Sequence, residues 1–134
     1  METVKSYRIA LADDHALFRQ GLREILDGKS DFKVVGEARD GIELLDLLDH
    51  ARPHLAILDI SMPNLKGIEA AREIGLRHPH IKVLFLTIHK EDLYRERAIS
   101  VGASGYLLKE NIGNELIPAI AMIRQGQVYF PPLS

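Results

Sequence analysis

The sequence predicts an α/β fold, a parallel five-stranded sheet with helices on both faces. Three observations predict it. Short, unbroken apolar runs alternate five times with stretches of helical spacing, the pattern of parallel strands buried on both faces and joined by crossover helices. The chain has 134 residues, which suits one domain around a single sizeable core. Polar, chemically capable groups follow four of the five runs, at the strand ends where open α/β sheets bind ligands.

The strands are read at Ile9–Ala12, Lys33–Ala38, Leu55–Leu58, Ile81–Thr87 and Gly105–Leu108. The first helix carries an i, i+4, i+7, i+8 stripe of Phe18, Leu22, Ile25 and Leu26. The second places Ile42, Leu44, Leu45, Leu47 and Leu48 behind a cap at Asp40. The third spans Lys66–Arg77, with Ile68, Ala71, Ile74 and Gly75 facing inward. The fourth runs from about Glu91 to Val101 and is mostly polar, with Leu93, Ala98, Ile99 and Val101 to dock it. The fifth carries Leu116, Ile120 and Ile123. After it, "GQVYFPPLS" ends in two prolines that cannot continue a helix. That tail is either frayed or the start of a linker, so the expected division is a domain over 1–126 and a linker over 127–134.

Composition narrows the function. An apolar fraction of 46% and a charged fraction of 27% are ordinary for a soluble domain. A net charge of −2 gives no basic field to attract nucleic acid. The absence of cysteine excludes disulfides, thiolate chemistry and Cys-based metal sites. No apolar run approaches the roughly 20 residues of a spanning helix, and the N-terminus turns charged too soon for a signal peptide. No membrane partner and a cytoplasmic location are expected.

The strand ends carry the chemistry. Asp13 and Asp14 follow the first strand, Asp59 the third and Lys109 the fifth, and Thr87 ends the fourth. In the flavodoxin-like order 2-1-3-4-5, strands one and three are neighbours and the switch point lies between them. Asp59 then sits beside Asp13 and Asp14. Three carboxylates so close repel one another unless a cation holds them. Mg²⁺ suits such oxygen ligands, and with Lys109 it leaves the site formally neutral. A carboxylate is a feasible nucleophile toward phosphorus. Phosphoryl transfer then needs positioning and neutralised charge, which Mg²⁺, the Thr87 hydroxyl and the Lys109 ammonium supply. Taken singly, Asp14 fits a helix cap, Asp59 a turn residue, Thr87 a strand residue and Lys109 a solvated charge. Their coincidence on one edge favours a phosphoryl receptacle on Asp59.

The sequence resembles the receiver domain of bacterial two-component response regulators over nearly its whole length. The matching segments are "ADDH" (Ala12–His15), "LDISMP" (Leu58–Pro63) followed by Gly67, "LT" ending in Thr87, and "GYLLK" (Gly105–Lys109). "DDHALFRQGLREIL" and "GQVYFPP" further resemble the NarL/FixJ subfamily, whose members usually continue into a LuxR-type helix-turn-helix domain. The resemblance implies that Asp59 accepts a phosphoryl group from a sensor histidine kinase. It implies that Asp14 and Asp59 bind Mg²⁺ directly, Asp13 through water, and Ser61 through its backbone carbonyl. Lys109 pairs with Asp59 or its phosphate, Thr87 turns toward the phosphoryl group, and Tyr106 follows as an aromatic switch. Ser61 and His89 flank the attacking water's route. Glu110 stands after Lys109, where the family often has proline. Phosphorylation-dependent homodimerisation is expected, and DNA contact belongs to the output domain beyond Ser134.

Two other classes compete. A pure interaction module of this fold would not require the complete set Asp13, Asp14, Asp59, Thr87 and Lys109. A phosphohydrolase built on a nucleophilic aspartate wants a second acid two residues later, and Ser61 occupies that position. No Gly-rich phosphate loop follows the first strand, which disfavours a nucleotide site. Among the other histidines (His15, His50, His54, His78, His80), "HPH" reads as a solvated turn and His15 is not assigned as a ligand.

Overall fold

Alternation along the strands divides the apolar residues between two layers. In the computed structural model, which describes residues 6–62, 64 and 66–131, Tyr7–Ala12 forms β1 and Phe32–Ala38 forms β2. Leu55–Asp59 is β3, Lys82–Thr87 is β4 and Gly105–Leu108 is β5. All pair in parallel in the order β2-β1-β3-β4-β5, as the sequence predicts. Pro63 of the "LDISMP" segment and the last three linker residues lie outside the described residues.

Side chains at i and i+2 of a strand share a face. Ile9 and Leu11 of β1, Ile57 of β3 and Leu84 and Leu86 of β4 pack with α1 (Ala16–Asp27) and α5 (Ile112–Arg124). Ala10, Ala12, Ala56, Leu58 and Phe85 pack on the other face with α2 (Gly41–Ala51), α3 (Gly67–Arg77) and α4 (Asp92–Ser100). β1 leads outward to β2 and then back across to β3, so the chain changes direction between β1 and β3. That reversal opens the crevice at their carboxyl ends.

Several expectations are corrected. β2 is not buried on both faces: only Ala38 is buried, because β2 is the edge strand and its far side meets solvent. Gly75 is exposed rather than inward, and Ile42 of the second helix's apolar set is also exposed. Leu93 and Ile99 of α4 also stay exposed, and the helix docks through buried Ala98 with Tyr94 packed beside it. Asp14 is not the cap of α1, because the cap position is His15, whose side chain makes no capping bond. Asp40 does cap α2, accepting the Glu43 N–H at 2.8 Å. That bond and one from Asn64 hold the Asp40 carboxyl below its ordinary range.

The tail is not frayed where it is described. Tyr129 forms a parallel bridge with Gly105. Its N–H donates to the Ser104 carbonyl at 2.8 Å, and its carbonyl accepts the Tyr106 N–H at 3.0 Å. Arg95 of α4 donates to the Phe130 carbonyl at 2.8 Å. The segment after α5 thus covers the open edge of β5.

Candidate functional site

Two strand ends turn in the same way. After β1, Asp13 Oδ1 accepts the N–H of His15 at 2.8 Å. After β3, Asp59 Oδ1 accepts the N–H of Ser61 at 3.0 Å. An aspartate that bonds the N–H two residues on makes a local turn, so each carboxylate is fixed at the sheet edge by its own loop. Gly67 brings the start of α3 against the β3 end, and its N–H donates to the Ile60 carbonyl at 3.2 Å. A Cβ there would lie 2.5 Å from the Asp59 carbonyl oxygen, so the close approach requires glycine.

Asp13 and Asp59 are 2% and 5% exposed. Burying such charges is costly unless they are paired. Lys109, at the start of a short 3₁₀ turn over Lys109–Asn111, supplies the pairing. Its Nζ lies 2.6 Å from Asp13 Oδ2 and 3.2 Å from Asp59 Oδ2. It also stands 4.4 Å above the Phe18 ring, where a cation is favourable. The lysine therefore bridges two acids and sits closer to Asp13 than to Asp59. The Lys109–Glu110 peptide is trans.

One ligand atom each from Asp13, Asp14, His15 and Asp59 falls within 4.8 Å of the others. Three carboxylates and one ammonium leave an excess of negative charge. Asp13 Oδ2 is buried without an aligned hydrogen bond despite its nearness to Lys109. That donor set fits a hard divalent cation bound through oxygen. His15, which the sequence gives no ground to assign as a ligand, joins the three acids here. Its only signals are its place directly after two acids and its turn position, and neither tells where the ring points.

Thr87 is fully buried at the end of β4, beside Asp59 through the Asp59–Leu86 register. Its hydroxyl accepts the His89 N–H at 2.9 Å. Tyr106 is also fully buried, and its hydroxyl donates to the His89 carbonyl at 3.2 Å. Burial pushes its phenol up to about 12, against a hydrogen bond with the Thr87 hydroxyl that acts the other way. Ser61 contributes its N–H to Asp59, and its hydroxyl lies 3.2 Å from His89 Nε2. The His89 ring stacks on Tyr94 at 4.3 Å. The structure thus brings Asp13, Asp14, Asp59 and Lys109 into one cluster and sets Thr87, Tyr106, Ser61 and His89 along one side of it. His50, His54, His78 and His80 stay outside the cluster. His78 bonds Asp49 at 2.9 Å.

Among the described residues no helix is long and apolar enough to cross a membrane. The response regulator receiver domain family matches residues 9–121. The transcriptional regulatory protein DegU of Brevibacillus brevis is 40% identical over 125 residues, which are 93% of this chain and 53% of that protein. The chain spans little more than half the length of such curated relatives. Among solved structures, a LuxR-family two-component response regulator from Aurantimonas sp. SI85-9A1 superposes with a TM-score of 0.90 at 33% identity, covering 96% of this chain and 91% of that one. The signal receiver domain of a NarL response regulator from Mycobacterium tuberculosis gives a TM-score of 0.87 at 32% identity, covering 92% and 99%. By sequence match and by fold, the chain belongs to the response regulator receiver domain family, within its NarL/FixJ subfamily of LuxR-type regulators.

Proposed function

We propose that this chain is a phosphorylation-activated signalling switch in which Asp59 accepts a phosphoryl group from a sensor histidine kinase. The observation that carries this reading is the Lys109 ammonium held on both buried acids, 2.6 Å from Asp13 and 3.2 Å from Asp59. An ion pair built only for stability needs one acid, whereas a phosphoryl site needs a nucleophile and a mobile counter-charge.

Asp13, Asp14 and Asp59, with the Ser61 backbone carbonyl, would hold Mg²⁺. When bound, Mg²⁺ offsets charge on the transferred oxygens and lowers the mutual repulsion of the acids. An Asp59 carboxylate oxygen attacks phosphorus while the phosphorus–nitrogen bond of the kinase's phosphohistidine breaks, and the released imidazole takes a proton from solvent. Lys109 shifts from Asp59 to a phosphoryl oxygen, and the Thr87 hydroxyl leaves the His89 N–H to meet another. Hydrolysis needs water to reach phosphorus past Ser61 and His89, which are joined across that approach at 3.2 Å. The chain is a switch rather than a turnover enzyme, its own chemistry being phosphoryl uptake and slow release.

The output path is supported by consecutive bonds. Thr87 bonds the His89 N–H, Tyr106 bonds the His89 carbonyl, and the Tyr106 N–H bonds Tyr129 in the segment that leaves the domain. A charge arriving at Asp59 biases this two-state element. Residues 1–126 form the receiver and 127–134 begin a linker. DNA contact, in the cytoplasm, is made by a C-terminal helix-turn-helix domain outside these 134 residues, with phosphorylation promoting a homodimer.

The test is incubation with Mg²⁺ and acetyl phosphate, read by intact mass. The reading predicts the gain of one phosphoryl group, lost with a chelator and lost in Asp59→Asn. No gain, or a gain that survives Asp59→Asn, refutes it.

A further inference from the structure

His15 follows the two acids at the end of β1 and stands at the cap of α1, yet its side chain gives the helix no hydrogen bond. The ring turns back toward the acids instead. Its Nδ1 lies 3.2 Å from Asp13 Oδ1 and 3.3 Å from Asp14 Oδ1. A ring nitrogen carries one proton or one lone pair. Facing two carboxylate oxygens, it satisfies one of them as a donor and neither as a base. A cation shared by all three atoms satisfies them together.

The spacing suits such a cation. Adjacent ligands of an octahedral ion with bonds near 2.1 Å lie about 3 Å apart, and opposite ones about 4.3 Å. The two contacts of Nδ1 match the adjacent spacing, and the four ligand atoms all lie within 4.8 Å of one another, so closure needs a contraction of at most a few tenths of an ångström. The imidazole is 68% exposed, so nothing packed around it prevents that closure. Its nitrogen also changes the chemistry of the site. Mg²⁺ prefers oxygen, whereas first-row transition ions gain from imidazole, in the order that runs upward from Mn²⁺.

We propose that His15 Nδ1 is a ligand of the cation held by Asp13, Asp14 and Asp59, which gives this site a preference for transition-metal ions over Mg²⁺. The inference rests on the reading of that cluster as a divalent-cation site. Loss of the nitrogen ligand lowers Mn²⁺ affinity about tenfold and leaves Mg²⁺ affinity within about twofold, by comparison with the ten- to hundredfold cost of disturbing a metal site.

The test uses Mn²⁺ and Mg²⁺ alone, without a phosphoryl donor, on the full 134-residue chain and on His15→Ala. Titration calorimetry gives the two affinities, and pulsed electron paramagnetic resonance on the Mn²⁺ complex detects nitrogen bonded to the metal. The proposal expects imidazole nitrogen coupling in the parent chain, its loss in His15→Ala, and a selective fall in Mn²⁺ affinity. Mn²⁺ bound without nitrogen coupling, coupling that persists in His15→Ala, or an unchanged ratio of affinities overturns the role of His15 and leaves the cation site standing. Failure of both ions to bind overturns both.

Discussion

Replacing Asp59 by asparagine is expected to stabilise the protein in the absence of divalent cations. The Asp59 side chain is 6% exposed and shares its surroundings with Asp13 and Asp14. At an effective dielectric constant near 20, a carboxylate within 4.8 Å repels it by at least about 3 kcal/mol and an ammonium at 3.2 Å attracts it by about 5 kcal/mol. Asp14 is 35% exposed, so solvent screens much of its repulsion. The pair interactions then nearly cancel, leaving the desolvation of a buried charge, several kcal/mol by order of magnitude. Hydrogen bonding to the Ser61 N–H offsets about 2 kcal/mol of it. Asparagine keeps the shape and an oxygen for Ser61, and Lys109 keeps Asp13. The expected gain is about 1–2 kcal/mol in urea unfolding without metal. Saturating Mg²⁺ stabilises the parent chain by mass action and the variant less, so the difference shrinks or reverses. A variant less stable than the parent without metal, or a difference indifferent to Mg²⁺, refutes the reasoning.

Tyr106 makes stability sensitive to alkali. Its folded value of about 12 lies above the ordinary 10, so its contribution is intact below pH 10 and is lost as pH rises toward 12, by up to about 3 kcal/mol. Tyr106→Phe should unfold less steeply across that window in urea titrations, and an unchanged slope contradicts the assignment. Gly67→Ala places a Cβ 2.5 Å from the Asp59 carbonyl oxygen and 2.7 Å from Ile60 Cα, both backbone atoms. A loss of about 2 kcal/mol is expected, with slower phosphorylation because the β3 end must move; full stability and rate would show that the approach is relaxed easily. Ending the chain at Gly126 removes the Tyr129 carbonyl that accepts the Tyr106 N–H at 3.0 Å. Hydrogen exchange at the Tyr106 amide should accelerate severalfold, and unchanged protection would mean that the tail does not hold β5.

The sheet and the acid cluster were legible because both rest on local rules. An unbroken run such as Leu55–Leu58 is wholly buried because strands flank it on both sides, and a polar group after such a run falls at the carboxyl edge. What escaped the sequence depends on neighbours. Lys33–Ala38 reads like the other strands, but its burial depends on being the edge strand, which no property of those residues states. Leu93 and Ile99 look like docking residues until Ala98 and Tyr94 set which side of α4 meets the sheet. The sequence pattern pairs Lys109 with Asp59, whereas its nearer contact with Asp13 follows from the packing of strand ends 50 residues apart and more. The docking of Tyr129 and Phe130 is long-range in the same sense, since prolines signal only that a helix ends.

The central claim is that the converging acids make one side chain, Asp59, the acceptor of phosphorus. After phosphorylation, reductive cleavage of the acyl phosphate followed by peptide sequencing marks the modified residue. The account predicts a mark at residue 59 alone, dependent on Mg²⁺. A mark at Asp13, Asp14 or a histidine, or a mark at residue 59 that forms equally well with all divalent cations removed, contradicts it.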